Sequence, residues 1–311
     1  MLTRLLGVRI FDLEASSRCN VKCRYCPREL LPGEGAMSRE TFSRFLDGVE
    51  LGAADTVSFV GIGEPTLNPR LPDFVGQVKS RFPAARTWVT SNGTNLNART
   101  VPPLLAAGLD TLDISFNGLD AVSYESNMRG AGFEDSLANV EYARRAAEAA
   151  GGRTRVQINY IVTAENAARE EGIQAFWRAR GITEFRPQRM HDRAGAVRLG
   201  DMTPSDTPGL GGRPCRIFQT MHFITWRGEA LYCCHDMRRA HVIGDVNRES
   251  WDDIEARKRG IVRAGLWPAM CSGCADPLRH DLHGQLDRMI RREMAGRMIG
   301  GLRSLRRLAA V

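Results

Sequence analysis

The 311-residue chain has no apolar run long enough to cross a membrane. It also lacks a signal-peptide core, because Asp12 and Glu14 interrupt the short apolar stretch that follows Arg4 and Arg9. Those absences exclude secreted and membrane-spanning classes, and a reducing, cytoplasmic compartment is expected. Internal repeats and low-complexity tracts are absent too, which excludes solenoids and disordered segments. No recognisable nucleic-acid motif occurs, and no basic patch is interleaved with aromatics, so no nucleic-acid partner is expected. The net charge of +7 is mild. It suits a soluble surface with excess arginine, or the docking of an acidic electron-transfer protein. Apolar content of 43% and charged content of 25% are those of an ordinary globular protein. The length allows one large or two smaller domains.

Eight cysteines are present, grouped as 19/23/26, 215, 233/234 and 271/274. That grouping is metal-ligand spacing rather than a disulfide framework. Cys19 to Cys26 reads Cys-Asn-Val-Lys-Cys-Arg-Tyr-Cys, three thiols without a nearby fourth. Structural zinc usually takes four ligands, and a cubane iron–sulfur cluster normally takes four thiolates. Three thiols can instead hold a cubane with one iron left open to a chelating small molecule. Zinc, or a buried apolar thiol cluster, is the alternative.

The first 190 residues alternate strand and helix. Strands are expected at 8–15, 56–62, 86–91, 110–116, 155–162 and 183–188, and helices at 38–51, 68–81, 99–108, 120–149 and 165–180. Ser38 with Thr41 marks one helix start, Pro102-Pro103 another, and Gly108 a helix end. Such alternation predicts an α/β fold with a parallel sheet and right-handed crossovers. Ligands of these folds bind at the C-terminal strand ends. Those ends carry the first cysteines, Gly61-Ile62-Gly63-Glu64-Pro65, Thr90-Ser91-Asn92-Gly93-Thr94, Ser115-Phe116-Asn117-Gly118 and Arg186-Pro187-Gln188-Arg189. Each tip alone is an ordinary turn, but together they line one rim.

On these residues the chain resembles the radical S-adenosylmethionine (SAM) enzymes. The resemblance rests on Cys19, Cys23 and Cys26, with Tyr25 before the third cysteine. It implies a partial (β/α)6 barrel over 1–190 and a 4Fe–4S cluster whose open iron chelates the amino and carboxylate groups of SAM. It places Gly63 and Glu64 near the SAM amino group, although Ile62 stands where glycine is common. Asn92 belongs to the same cofactor-binding rim. Ser115 and Asn117 would meet the ribose, and Arg129 could pair with the SAM carboxylate.

A Gly-, Pro-, Asp- and Arg-rich segment, 191–214, reads as a linker. After it, Phe218–Trp226 and Glu229–Tyr232 read as a hairpin turned at Arg227-Gly228, followed by a helix near 249–264. The unit over 215–280 is similar to the SPASM/twitch extension of radical SAM enzymes, a small α+β unit. Gly228 stands five positions before Cys233, as in that pattern. No cysteine follows Cys274, so the match is to the shorter form. It implies one auxiliary 4Fe–4S cluster on Cys215, Cys233, Cys271 and Cys274, leaving Cys234 spare. That thiol either packs inertly, substitutes as a ligand, or gives a hydrogen atom to a substrate radical. His235 and Asp236 follow it and can line the same pocket. Residues 281–311 read as a basic amphipathic helix, suited to packing on its own domain more than to a membrane surface.

The resemblance implies an oxidoreductase in which ferredoxin or flavodoxin supplies an electron and SAM yields a 5′-deoxyadenosyl radical that abstracts hydrogen. Its expected substrate is small and sugar- or cyclitol-like, oxidised by two electrons from alcohol to ketone. A first strand near residue 8 leaves no room for a leader-binding domain, which disfavours the peptide-modifying relatives. A radical epimerase using Cys234, a zinc-stabilised binding module and a simple electron carrier are the competing readings. For a general base, His191, Asp192, Arg186 and Arg189 qualify by position only.

Overall fold

The computed structural model describes residues 8–198, 200 and 215–276. The tail helix expected over 281–311, and most of the linker's Pro-rich half, lie outside the described residues. The strands are β1 (Ile10–Leu13), β2 (Lys22–Cys23), β3 (Thr56–Phe59), β4 (Arg86–Ser91), β5 (Thr111–Ser115), β6 (Met128–Arg129), β7 (Arg155–Val162), β8 (Phe185–Arg189), β9 (Met221–Ile224), β10 (Glu229–Leu231) and β11 (Val242–Asp245). One nine-stranded sheet runs in the order β11-β10-β9-β1-β3-β4-β5-β7-β8. Every neighbouring pair from β1 to β8 is parallel, which is the six-stranded partial barrel.

Alternation along each strand sends successive side chains to opposite faces. One face carries Phe11, Leu13, Val57, Phe59, Val89, Leu112, Ile114 and Ile158, all buried. Helices cover it, for example Arg39–Gly48 and Leu71–Arg81, with Phe42 stacked 4.2 Å from Phe74 and 6.1 Å from Phe59. The Ser38 hydroxyl accepts from the Thr41 amide at 3.0 Å and starts the first of these helices. The opposite face is polar. It carries Asp12, Ser58, Thr90, Asp113, Gln157, Asn159 and Arg186. Asp113 is fully buried and accepts from Thr90 Oγ1 (3.1 Å) and Gln157 Nε2 (2.7 Å), and it pairs with Arg186.

Two elements differ from the sequence expectation. The helix expected over 120–149 is broken into Ala121–Asn127 and Phe133–Ala149. Between them β6 pairs antiparallel with β2, Met128 opposite Cys23 and Arg129 opposite Lys22. The break has a local cause in Gly130-Ala131-Gly132, with Gly130 at φ 92°, a conformation closed to a continuing helix. It also has a distant cause, the ladder to the cysteine loop. Further on, the residues before β9 form a short helix, Arg216–Thr220, and not the start of the hairpin strand.

The C-terminal unit continues the sheet. Strand β9 pairs with β1 in parallel, and β10 pairs antiparallel with both β9 and β11. Glu14, just past β1 and 1% exposed, accepts from the Trp226 amide at 3.2 Å and from Arg239 Nη2 at 2.9 Å. Arg239 also reaches Glu229 at 3.2 Å. The helix Trp251–Ala264 closes this end, with the Trp251 ring 5.3 Å from Phe11 and 6.1 Å from Phe45.

Candidate active site

The first cysteine set lies on the loop between β1 and the helix Arg39–Gly48, with all three thiols half-buried. The Cys26 amide donates to the Cys23 carbonyl at 3.1 Å. Arg28 Nη1 donates to the carbonyls of Cys19 (2.9 Å) and Val21 (3.3 Å) and pairs with Glu34. From one side β2 and β6 clamp the loop, and the Arg24 amide adds a bond to the Asn127 carbonyl at 2.9 Å. Arg129, exposed, is thereby carried to the cysteine loop, while Tyr25 is half-buried within it.

From the other side the β3 tip presses in. A Cβ on Gly63 would stand 2.2 Å from the Ser16 carbonyl oxygen and 2.6 Å from that of Arg18, so only glycine lets these backbones meet. The next residue, Glu64, is 1% exposed and donates its amide to the Arg18 carbonyl at 2.8 Å. Its carboxylate accepts four hydrogen bonds, from the Thr66 amide (3.1 Å), Thr66 Oγ1 (2.7 Å), Ser91 Oγ (2.9 Å) and the Asn92 amide (2.6 Å). Asn92 Nδ2 then reaches Asn20 Oδ1 at 3.0 Å and lies 3.7 Å from Cys19 Sγ. Cys19, Glu64 and Asn92 therefore form one connected group. Ser115 and Asn117 stand at the next tip. Ser115 Oγ accepts from Asn159 Nδ2 at 3.4 Å, and Asn117 Oδ1 accepts from the Ile161 amide at 2.8 Å.

Burial pushes all three thiols up, Cys23 to about 12, where the neighbouring Cys26 and Cys19 add to the effect. Thiols so placed keep their protons unless a cation compensates the charge of the thiolate.

The second set converges on one cavity. Cys215, Cys233, Cys271 and Cys274 line it together with Phe218, Tyr232 and His235. Phe218 and Tyr232 stack at 4.1 Å. Cys234 is outside the lining, although its thiol lies beside that of Cys233. His235 is 6% exposed and its Nε2 sits 2.7 Å from Asp276 Oδ2, whereas its Nδ1 is buried without a hydrogen-bond partner. Four sulfurs and an orphaned buried nitrogen around an apolar cavity fit an iron–sulfur cluster, with its thiolate ligands and sulfide acceptors.

One loop lines the second cavity and brings a charge near the first set. After β8, Arg193 and Ala194 take left-handed backbone at φ 48° and 57°, a strained state for non-glycine residues. The Arg193 amide donates to His191 Nδ1 at 3.2 Å, and Asp192 Oδ1 accepts from the amides of Ala194 (3.1 Å) and Ala275 (3.4 Å). Arg193 is near enough that its charge lowers the thiols of Cys23 and Cys26, while Ala194 lines the second cavity. His191 packs its ring 4.9 Å from His235, and burial pulls it down to about 4. His191 and Asp192 were legible as candidates by position alone. Arg193, Asp276 and the polar face of the sheet, Arg186 apart, carry no such positional signal. The alternation of Asp113, Gln157 and Asn159 with apolar neighbours is the sequence signal for that face.

Comparison with known proteins decides the family. Residues 13–162 match the radical SAM superfamily, and 215–275 match the SPASM iron–sulfur cluster-binding domain, together roughly two-thirds of the chain. The chain belongs to the radical SAM superfamily. Among solved structures, this radical SAM protein is similar in fold to BtrN in complex with AdoMet and 2-DOIA (TM-score 0.59, 18% identity, 87% of this chain and 94% of that one). Another is anSMEcpe with bound AdoMet (0.62, 15%, 86% and 89%). A third is Streptococcus suis SuiB bound to the precursor peptide SuiA (0.61, 13%, 88% and 72%). Among curated relatives, a GTP 3′,8-cyclase of Mycobacterium sp. (strain KMS) is 34% identical over 158 residues, 49% of this chain and 43% of the cyclase. The tungsten-containing aldehyde ferredoxin oxidoreductase cofactor-modifying protein of Pyrococcus furiosus is 30% identical over 160 residues, 50% and 44% of the two chains. The chain thus spans less than half the length of the curated relatives it matches. The two domains imply SAM, a SAM-binding 4Fe–4S cluster and auxiliary iron–sulfur binding. No helix among the described residues is long and apolar enough to cross a membrane.

Proposed function

We propose that this radical SAM protein is an oxidoreductase that removes two electrons from a small, sugar- or cyclitol-like substrate, converting an alcohol to a ketone. Cys19, Cys23 and Cys26 hold the SAM-binding cluster, and Cys215, Cys233, Cys271 and Cys274 hold one auxiliary cluster. These groups supply hydrogen abstraction by a 5′-deoxyadenosyl radical at one site and an electron acceptor at the other. The chain's own residues bind, orient and exclude water.

The observation that carries the reading is the four-cysteine cavity, which Ala194, on the loop after barrel strand β8, lines together with Cys215, Cys233, Cys271 and Cys274; this supports a second redox centre beside the barrel rim. The polar sheet face, with Asp12, Asp113, Asn159 and Arg186, supports a hydroxyl-rich substrate more than an apolar one. Glu64 and Asn92 act by holding the Cys19 loop, and Ser115, Asn117, Tyr25 and Arg129 complete the SAM rim. A reduced ferredoxin or flavodoxin, acidic against the chain's net charge of +7, is the electron donor.

Anaerobic reconstitution should give a brown protein with about eight irons, as two cubanes require. Dithionite with SAM should then release 5′-deoxyadenosine. The variant with Ala at 19, 23 and 26 should not release it, and undiminished release from that variant would sink the assignment. Cys234 stands outside the cavity lining and beside Cys233, which keeps open a second reading, an epimerase with Cys234 as hydrogen donor. Cys234→Ala should leave oxidation intact; lost or diverted turnover would favour the epimerase.

A further inference from the structure

Lys258, on the helix Trp251–Ala264, is 5% exposed. Its ammonium donates to the Met221 carbonyl at 2.5 Å and meets His222 Nδ1 at 3.2 Å. Neither partner is an anion. Burial and the nearby Lys258 push His222 well below its ordinary value, so it stays a neutral acceptor. Among the described residues, no carboxylate lies within ion-pair distance of Lys258. The ammonium also lies 4.9 Å from the centre of the Phe218 ring, and Phe218 is a wall of the four-cysteine cavity. A buried cation without a paired anion is costly, and such groups usually shift or find a counter-charge. Burial pulls Lys258 down to about 7, while the charges of Glu255, Cys233 and Cys215 push it back up.

We infer that Lys258 is the counter-charge of the auxiliary cluster, set behind Phe218 to raise that cluster's reduction potential. This rests on the auxiliary-cluster reading above. A cubane on four thiolates is anionic and gains a further negative charge when reduced. A cation one aromatic ring away stabilises the reduced state more than the oxidised one, and low local polarity strengthens the effect. Lys258 stands behind the Phe218 ring and is not in the lining of the cavity. It is a positioning residue that acts through charge, and it makes the auxiliary cluster a better acceptor for the second electron.

The test uses the full chain with Ala at 19, 23 and 26, so that only the auxiliary cluster is reconstituted. Midpoint potentials are read by redox titration with EPR detection for this parent and for its Lys258→Met, Lys258→Gln and Lys258→Arg derivatives. The Met and Gln proteins should shift to more negative potential at equal iron content, while Arg should stay near the parent. Gln keeps a donor for the Met221 carbonyl and covers the case in which Met does not fold. A merely structural lysine would alter stability without ordering the potentials by charge. Equal potentials in all four proteins would overturn the inference and leave the auxiliary cluster standing. A parent that binds no iron would instead overturn the cluster reading, and the inference with it.

Discussion

Glu64→Gln is the most informative single change. The carboxylate sits 1% exposed at the junction of the β3 and β4 tips, and all four of its donors are protein groups. Oε1 takes three of them, from Thr66 and Ser91, so the glutamine oxygen would settle there. The glutamine NH2 would then face the Asn92 amide, which now donates at 2.6 Å. A donor against a donor leaves a buried N–H unsatisfied, at a cost of roughly 1–3 kcal/mol. The three remaining bonds weaken as their acceptor loses its charge. That loss is offset because a neutral amide costs less to bury than the carboxylate, whose pKa burial has raised. The net expectation is a loss of about 2 kcal/mol of stability in the apo protein, measured by urea unfolding under anaerobic, reducing conditions. Because Asn92 leans on Cys19, iron retention at the first cluster should fall as well. Stability within ~0.5 kcal/mol of wild type, with SAM affinity alone reduced, would refute this account. It would show that Glu64 serves the ligand directly and not the loop.

Two further outcomes follow from buried charges outside the rim. Burial holds the Asp12 carboxyl up at about 7, against partial help from Ser58 and Arg186. A carboxyl raised in the folded state makes folding weaker as pH climbs, from the unfolded value near 4 up to the folded value, and flat beyond it. Asp12→Asn should remove that slope, worth at most roughly 4 kcal/mol at pH 8, as seen in urea midpoints across pH 4 to 8; an unchanged slope would show that Asp12 does not cause it. Arg239→Ala strands Glu14 in the interior without its cation. The expected loss is roughly 3–5 kcal/mol, read by thermal unfolding, and a drop below about 1 kcal/mol would show that Glu14 finds another partner.

The parallel sheet was legible because strands and helices alternate along the first 190 residues. The cysteine spacing was equally legible, since three- and two-residue gaps leave few ways to arrange thiols around one ion or cluster. Other features depend on partners remote in sequence. Nothing local to Met128 says that it pairs with Cys23, although Gly130 and Gly132 mark where the helix over 120–149 breaks. The tie between His235 and Asp276 spans the helix Trp251–Ala264 and is invisible to periodicity. Glu64 looked like a group offered to a ligand because its tip lies on the rim, yet its donors come from Thr66, Ser91 and Asn92, the latter two on the next tip. Arg193 escaped notice because left-handed backbone at an arginine has no sequence signature.

The clamp of β6 on β2 has a consequence in time. The cysteine loop is synthesised before Met128 and Arg129, which hold it and come more than a hundred residues later. At ordinary synthesis rates of about 5–20 residues per second, that interval lasts on the order of ten seconds. During it the three thiols are exposed to oxidants and adventitious metals without the frame that orders them. Iron delivered before residue 129 has emerged meets a loose loop, and iron delivered afterwards meets a braced one.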